Sequence, residues 1–479
     1  MEFEAVIGLE IHVEMKTISK MFSSAPVTFG DDPNTQVMPL DIAFPGTMPV
    51  VNKQAVINAI RVSNALHMDI DHELWFDRKN YFYSDLPKGF QITQQARPIG
   101  SNGYLTIEID GKEKKIEIER LHMEEDTCKQ LHSWDCSLLD YNRAGIPLVE
   151  IVSRPDMRSG EEAMKYAEKI RSIVSFLDVS DGKMEEGSLR CDVNISIREK
   201  GTTKLGTKVE IKNLNSFQNI KKAIDFEITR QSTLVECGIP VVQETRRFDE
   251  GSQETVLMRV KTDAVDYKYF TEPNITPIAL SDEFVEEAIR TSPELADSKL
   301  ARYKAAGLSE YDSNLLISNK EISDYYDAVV KAGANSKLAA NWVLVDVQAI
   351  LNKSLISIKE FKISPENLGK LILMVESNKV SNKQARDIFA VMVDTNKDPE
   401  EVASSIGATQ MSNEDELKTI IVKVCDENAQ SIVDYKAGKD RALGFLVGKV
   451  MQITEGKANP AITSKLILEE INRRYLCPD

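Results

Sequence analysis

Residues 187–198, GSLRCDVNISIR, alternate between apolar and polar side chains. The apolar positions are Leu189, Cys191, Val193, Ile195 and Ile197. The polar positions between them are Arg190, Asp192, Asn194 and Ser196. Successive side chains of a β-strand point to opposite faces of the sheet, so this spacing predicts a half-buried strand with a polar working face.

The same two-residue period occurs in residues 7–14 and in TKVEIKNL, residues 207–214. The polar members are Glu10, His12 and Glu14 in the first segment and Lys208, Glu210 and Lys212 in the second. A third stretch, LTIEIDGKEKKIEIE, carries Asp110 and Gly111 between two alternating runs, which indicates a hairpin turn. These segments together predict a sheet of several strands.

Helices are interleaved with these strands. Ser159 followed by Glu162 has the spacing of a capping box, and an apolar residue then recurs at helical spacing up to Leu177. Helices that pack on an antiparallel or mixed sheet define an α+β domain, which we predict for residues 1–292.

The remainder of the chain predicts helices. Thirteen of the 17 prolines lie at or before Pro293, and after it the apolar residues follow helical spacing, as in SPENLGKLILMV. The polar stretch DPEEVASSIGATQMSNEDE divides this part. We therefore predict an all-α helical domain over residues 293–406 and a small helical tail domain over residues 407–479.

Composition limits the class of protein. The 479 residues are 42% hydrophobic and 28% charged, as in ordinary globular proteins. The formal net charge is −16, so the surface cannot be basic throughout, and contact with nucleic acid must be local or aided by a partner or Mg²⁺. The acidic start and the lack of a long apolar window predict a cytoplasmic protein without a membrane segment.

The cysteine pattern and the absence of several motifs limit the kinds of catalytic and nucleotide-binding site that the sequence predicts. The cysteines, which form no CxxC pair and are expected to be buried thiols, are Cys128, Cys136, Cys191, Cys237, Cys425 and Cys477. The chain contains no GxxxxGK[ST] loop, no GxGxxG and no GxSxG. If the protein uses ATP, a metal ion and basic side chains must hold the phosphates.

Acidic side chains on the predicted strand faces supply such a metal site. The candidate Mg²⁺ ligands are Glu10, His12, Asp192 and Glu210, with Glu124 and Glu125 of HMEED. Adjacent Glu124 and Glu125 face opposite ways in a regular strand, so both can be ligands only where the strand bulges or ends. For any one of these residues, a solvated strand face is the alternative.

Basic residues near these acids are candidate partners for phosphate or carboxylate groups. They are Lys79, Lys88, Arg190 and Lys212. Each could instead be an ordinary surface charge.

A series of longer motifs resembles the B subunit family of glutamyl/aspartyl-tRNA(Gln/Asn) amidotransferases. In chain order they are GLEIHVEM, DRKNYFYSDLPKGFQITQ, HMEEDTCK, YNRAGIPLVEIVSRPD, KMEEGSLRCDVNISIR, KVEIKNLNSF, QETRRFDE and LMRVKTDAVDYKYFTEP. They span roughly residues 3 to 273, and the helical remainder is similar to the helical and tail domains of that family.

The resemblance implies a cradle domain with a glutamine-synthetase-like or guanido-kinase-like sheet, which acts within a heterotrimer. An amidase A subunit releases ammonia from glutamine, a small C subunit clamps A to B, and B activates Glu-tRNA(Gln) or Asp-tRNA(Asn) with ATP and Mg²⁺. It places the Mg²⁺ ligands on the six residues named above. Glu125, Lys79 and Arg190 are then candidate catalytic residues, and Lys88 and Lys212 candidate ATP-binding residues. Lys79, Lys88 and Glu125 are also candidates for the ammonia path.

Two questions stay open at the level of sequence. The alternative function is a noncatalytic scaffold that binds tRNA and docks an amidase, and the six metal-type residues argue against it. The tail carries six basic and two acidic residues between Lys436 and Lys465. The resemblance favours tRNA binding there over a solvated helix face, and it leaves open whether Gln-tRNA, Asn-tRNA or both are made.

Overall fold

A computed structural model describes residues 2–260, 266–407, 414–454, 458 and 460–476. The chain divides into two compact units, Met1–Ala296 and Asp297–Asp479. The first is a mixed sheet with helices and the second is helical, which confirms the predicted fold class. The predicted boundaries at residues 292 and 407 stay predictions.

The first unit contains sixteen strands in its described residues. They are β1 (Phe3–Glu14), β2 (Asp69–Ile70), β3 (Glu73–Leu74), β4 (Asp77–Asn80), β5 (Phe90–Thr93), β6 (Gly100–Ile109), β7 (Lys112–Glu125), β8 (Lys129–His132), β9 (Ser137–Asp140), β10 (Pro147–Ser153), β11 (Leu189–Glu199), β12 (Val209–Lys212), β13 (Glu244–Asp249), β14 (Glu254–Val260), β15 (Phe270–Thr271) and β16 (Ile278–Ala279). Its helices are α1 (Lys53–Ala65), α2 (Gly160–Phe176), α3 (Phe217–Glu236) and α4 (Asp282–Arg290).

Nine strands form the main sheet in the order β14-β13-β12-β11-β1-β10-β7-β6-β2. Neighbours are antiparallel except β12 and β13, which run parallel, so the sheet is mixed. A smaller sheet has the order β15-β4-β5. The central position of β1 places its side chains between those of β10 and β11 on both faces.

The predicted alternation is confirmed in the central strands. Ile7, Leu9, Ile11 and Val13 of β1 are almost fully buried, as are Val209 and Ile211 of β12. These side chains and their neighbours on β11 form one face of the sheet within the hydrophobic core of the unit. The polar residues between them therefore lie on the opposite face.

Local signals for turns and caps are largely confirmed. Asp110 and Gly111 both adopt positive φ angles in the turn between β6 and β7, as the Asp-Gly pair predicts. Ser159 caps α2 by accepting from the amide of Glu162. The second half of the predicted capping box is wrong, because the Glu162 carboxylate accepts from the amide of Arg158 and from the Lys114 ammonium.

The helical unit consists of helices joined by short connections. They are α5 (Ala296–Ala305), α6 (Glu310–Ile317), α7 (Lys320–Lys331), α8 (Ser336–Asn341), a π-helical segment (Trp342–Val347), α9 (Gln348–Ser354), a 3₁₀ turn (Ile358–Glu360), α10 (Pro365–Glu376), α11 (Asn382–Thr395), α12 (Pro399–Ser405), α13 (Glu414–Glu427), α14 (Ala429–Lys436), α15 (Arg441–Ile453) and α16 (Pro460–Leu476). Two separate hydrophobic clusters stabilise them, one between Tyr303 and Ala403 and one between Leu417 and Ile471.

The cysteines follow the expectation only in part. Five of them are free thiols, and Cys128, Cys191 and Cys425 are buried. Cys136 and Cys237 are exposed, so the expectation of burial is wrong for these two. Cys477 lies outside the described residues.

Candidate active site

The polar face of the main sheet gathers side chains from four central strands. Residues paired across neighbouring strands lie on the same face. The register pairs Glu10 with Asp192, and His12 with both Arg190 and Glu150. Glu150 in turn pairs with His122 on β7. Acidic, imidazole and guanidinium groups therefore line a continuous strip across the middle of the sheet.

Four of these residues form what we call the His–Glu cluster: His12, His122, Glu124 and Glu150. The Nε2 atoms of His12 and His122 lie 3.4 and 3.1 Å from Glu150 Oε2. Each of these Nε2 atoms is also 3.7 Å from an oxygen of Glu124. One ligand atom from each of His12, Glu124 and Glu150 can be chosen so that all three lie within 4.8 Å of one another. Two carboxylates and an imidazole at such spacing are close enough to hold one cation between them.

Electrostatics couple the members of this cluster. Burial lowers the pKa of both histidines, but Glu150 and Glu124 outweigh it, so the pKa of His12 is raised and that of His122 reaches about 9. Burial raises the pKa of Glu150, yet the two imidazoles hold it well below its usual range. The Nδ1 atom of His122 is buried without a hydrogen-bond partner. The imidazoles thus act as counter-ions to the carboxylates, a role that a bound cation would take over.

A second group, the acid–lysine cluster, consists of Glu10, Asp192, Glu210 and Lys212. The Lys212 ammonium pairs with Asp192 and lies 3.2 Å from Glu210. Glu10 accepts from the side-chain amide of Asn194 at 2.8 Å. Burial, with Glu150 and Asp192 nearby, raises the pKa of Glu10. Three predicted metal ligands are therefore together, with a lysine between two of them.

Arg190 is fixed by acids beside the His–Glu cluster. Its Nη2 lies 2.6 Å from Asp126 Oδ2 and 3.9 Å from Glu14. Burial and the nearby Asp126 raise the pKa of Glu14 to about 8, whereas Arg190 and Arg143 overcome burial and lower that of Asp126. The Nε of Arg190 is buried without a partner. The guanidinium is thus held rigidly beside His12 in the strand register.

Glu125 lies apart from these clusters, at the last position of β7. Its carboxylate accepts from the Lys88 ammonium and, at 3.0 Å, from the amide of Ile92. Glu124, one residue earlier, turns to the His–Glu cluster and accepts from the Thr93 hydroxyl at 3.4 Å. The strand ends at Glu125, which is one of the two conditions under which both acids could be ligands, but the two carboxylates contact different partners.

Lys79 lies on the small sheet and lines a cavity of about 200 Å³. The other lining residues include Thr93, Arg120, His122, Glu124, Glu150 and Tyr269. Burial lowers the pKa of Lys79, but Glu124 and neighbouring groups together have the larger effect, so the pKa is raised above its ordinary value. Lys79 is therefore a charged group that shares a cavity with three members of the His–Glu cluster.

Glu150 is the central residue that sequence reasoning missed. Its Oε2 atom forms ion pairs with both imidazoles, yet Glu150 is absent from the predicted ligands. The signal that could have found it is its place in PLVEIVS, where one charged residue alternates with apolar ones in β10. His122 also belongs to the cluster, although the sequence prediction assigned only its neighbours in HMEED as ligands.

The chain matches a known class of catalytic domain. Residues 5–286 match the family described as GatB/GatE catalytic domain, and residues 324–471 match the family described as GatB domain. In the part of the chain that the structure describes, no helix has the length and apolar character to span a membrane.

Curated relatives extend this similarity along the chain. The B subunit of the aspartyl/glutamyl-tRNA(Asn/Gln) amidotransferase from Bacillus cereus (strain AH187) is 49% identical over 476 residues, which cover 99% of this chain and 100% of the relative. The Bacillus mycoides protein of the same description is 48% identical over 475 residues, with the same coverage. The chain therefore belongs to the family of aspartyl/glutamyl-tRNA(Asn/Gln) amidotransferase B subunits, which are parts of a ligase. This confirms the resemblance, and nothing supports the scaffold alternative.

Proposed function

We propose that this chain uses ATP to phosphorylate the side-chain carboxylate of Glu-tRNA(Gln), of Asp-tRNA(Asn) or of both, and that ammonia then converts the product to the amide. The observation that carries the proposal is the His–Glu cluster, three of whose members line a cavity together with Lys79. Family membership supports the use of ATP, and the polar face of the sheet supplies the groups that such chemistry needs.

The reaction needs an activated carboxylate because oxide is too poor a leaving group for ammonia to displace. A carboxylate oxygen takes the γ-phosphoryl group of ATP and ADP leaves. Ammonia then forms the C–N bond, and phosphate departs with that same oxygen while the nitrogen loses a proton. Catalysis here is mostly positioning and charge stabilisation.

The donor set fits a divalent cation with a preference for oxygen ligands. In the His–Glu cluster His12, Glu124 and Glu150 would hold it, and in the acid–lysine cluster Glu10, Asp192 and Glu210 provide a second acidic group. When bound, Mg²⁺ neutralises charge on the triphosphate and on the developing phosphoryl group. Glu125 is less suited to this role because Lys88 and the Ile92 amide already engage its carboxylate.

The basic residues orient the substrates. Lys79 faces the cavity and can contact the reacting carboxylate or a phosphate oxygen. Lys212, between Asp192 and Glu210, can contact the triphosphate from the acid–lysine cluster. Arg190 holds its position through Asp126, so it adds fixed positive charge next to His12.

Ammonia must come from a partner, since no glutaminase nucleophile is recognisable in the sequence. We place its path at the small sheet, whose two faces line different cavities. Lys79 and Thr93 face the cavity of the His–Glu cluster, while Arg78, Phe90 and Ile92 line a second cavity of about 220 Å³. Lys88 also lines this second cavity and pairs with Glu125, the residue next to Glu124 of the His–Glu cluster. An amidase A subunit and a small C subunit are the proposed partners.

The tail is proposed to bind the tRNA. Helices α14 to α16 carry Lys436, Arg441, Lys449 and Lys465, and Lys439 lies between α14 and α15, whereas Lys457 and Glu455 of the predicted basic stretch lie outside the described residues. Phosphate contacts by such residues steepen the salt dependence of binding by about 0.9 per neutralised phosphate. A chain ending near residue 406 should bind tRNA more weakly and with a flatter salt slope.

Two variants of the same strand test the catalytic proposal. Glu124→Gln in the enzyme assembled with its partners should abolish Mg²⁺-dependent formation of amidated tRNA. Glu113→Gln makes the same chemical change at an exposed position of β7 and should leave the rate unchanged. Amidation by Glu124→Gln at the wild-type rate would reject the assigned site.

A further inference from the structure

Three neighbouring tyrosines, one of which lines the cavity of the His–Glu cluster, have no role in the proposed reaction. They are Tyr81, from the motif DRKNYFYSD, and Tyr267 and Tyr269, from the motif DYKYF. We call them the tyrosine cluster. The ring centroids of Tyr81 and Tyr267 are 6.0 Å apart, and so are those of Tyr267 and Tyr269. Tyr269 lines the cavity itself.

The backbone around the tyrosine cluster is firmly held. Asn80 donates its amide to the carbonyl of Tyr267 at 3.0 Å and its side-chain amide to the carbonyl of Lys268 at 2.7 Å. The next residues pair with β4, where Phe270 lies opposite Arg78. The three tyrosines lie just outside the strands of the small sheet, on backbone that these contacts anchor to it.

The rings of the tyrosine cluster keep part of their surface exposed, since Tyr81 and Tyr267 are half-buried and Tyr269 is exposed. The interplanar angles are 71° for Tyr81 and Tyr267 and 67° for Tyr267 and Tyr269, so the rings meet edge to face. Tyr269 is 38% exposed, and no member of the tyrosine cluster belongs to the buried core found among the described residues of this unit. A planar ring from outside can stack on such a surface.

Positive charge lies next to these rings in a chain whose net charge is −16. The Lys79 ammonium is 5.0 Å from the centroid of Tyr267. Arg120 lines the same cavity, and its Nε is buried without a hydrogen-bond partner. Aromatic faces beside cationic groups are the combination that binds unpaired nucleotides, the rings taking the bases and the cations the phosphates.

We propose that the tyrosine cluster stacks the unpaired 3′-terminal adenine of the aminoacyl-tRNA and so directs its ester-linked amino acid into the His–Glu cavity. This inference rests on the proposed function. The amino acid is attached to the ribose of that terminal nucleotide, so a base at Tyr269 keeps the amino acid within one nucleotide of the cavity that Tyr269 lines. ATP also carries an adenine, and the experiment separates the two sources.

The test uses the assembled enzyme and tRNA with 2-aminopurine at its 3′ end, whose fluorescence falls when the base stacks. Wild type and Tyr269→Phe should quench the probe, because both keep a ring. Tyr269→Leu should lose the quenching and raise KM for Glu-tRNA by about tenfold, the scale of one stacked base, while KM for ATP stays unchanged. Tyr267→Leu should act in the same direction and serves as the second variant.

Tyr311→Leu is the matched control, since Tyr311 is 72% exposed in the helical unit. Quenching and KM for Glu-tRNA at wild-type values in both the Tyr269→Leu and Tyr267→Leu enzymes would overturn the proposal. A rise in KM for ATP alone would overturn it too, because the stacked adenine would then be that of the nucleotide. Failure of the proposed function is a separate result, namely wild-type enzyme that forms no amidated tRNA with ATP.

Discussion

Two groups of charged side chains, one in each unit, are built on opposite principles. In the helical unit the acid is matched by cations, because Asp327 accepts from Lys299, from both terminal nitrogens of Arg302 and from the Tyr303 hydroxyl, all between 2.9 and 3.0 Å. In the sheet unit Glu124 and Glu150 form ion pairs, among the described residues, with histidines alone.

The difference indicates which group is structural and which is functional. The Asp327 network stabilises the contact between α5 and α7. Because its acid is already matched by cations, it has no unbalanced negative charge for a ligand to neutralise. The His–Glu cluster instead concentrates acids around groups that can release a proton, leaves His122 Nδ1 without a partner and opens onto a cavity. Perturbed groups that converge on a cavity are typical of active sites.

The largest expected effect is on the amidation rate, and it distinguishes the His–Glu cluster from the Asp327 network. Glu150→Gln removes the acid that both imidazoles contact, so amidation should fall by about a hundredfold or more, as expected when charge stabilisation at the reacting group is lost. Steady-state amidation with saturating ATP and Glu-tRNA measures it. If Glu150→Gln instead unfolded the chain without slowing the folded enzyme, the contrast with Asp327 would disappear.

The second effect is on stability. Asp327→Asn leaves Lys299 and Arg302 without their shared acid, and the free energy of unfolding should fall by about 2 kcal/mol, below the value for a fully buried pair because Asp327 is partly exposed. Urea unfolding of the full chain measures it. The amidation rate of the folded variant should stay at the wild-type value, and a hundredfold loss of rate would show that this network also serves catalysis.

A third prediction concerns the Glu125–Lys88 pair. It lies in the sheet unit, but its acid is matched by a lysine, as Asp327 is in the helical unit. Glu125→Gln weakens the pair with Lys88, which lines the second cavity of the proposed ammonia path, and amidation driven by glutamine should fall by about tenfold, the scale of one charged hydrogen bond. Amidation driven by added ammonium salt should change much less, because that ammonia need not follow the path from the partner. Equal losses with both nitrogen sources would place Glu125 in the chemistry itself.

The smallest expected effect is a pH dependence of stability. Burial raises the pKa of Asp327, but Arg302 and Lys299 outweigh it and lower the pKa below its ordinary value. The stabilisation is therefore present above the ordinary aspartate pKa of 3.8 and is lost as the pH falls through the lower folded value. The stability difference between wild type and Asp327→Asn should shrink as the pH is lowered from about 5 to about 3. A constant difference would contradict this origin.

Sequence patterns correctly predicted the structural features that depend on local periodicity, such as strand faces and turns. The alternation in residues 187–198 correctly separates the core face of β11 from its polar face, and the Asp110–Gly111 turn follows from the same local rules. The placement of Glu150 opposite His122 depends on the order of strands in the sheet, which no single segment contains. The opposite directions of Glu124 and Glu125 follow from local alternation, but the partner of Glu125, Lys88, lies in an earlier segment of the chain, so the sequence could state only the condition under which both would be ligands.

The most direct test of the central claim follows one oxygen atom. Glu-tRNA is prepared with ¹⁸O in its side-chain carboxylate and is amidated by the assembled enzyme with unlabelled ATP. If the sheet unit phosphorylates that carboxylate, each amide formed should release one phosphate that carries a single ¹⁸O, and Glu150→Gln should slow the formation of labelled phosphate and of amide by the same factor, about a hundredfold or more. Amidated tRNA formed at the normal rate with unlabelled phosphate would show that the carboxylate is never phosphorylated.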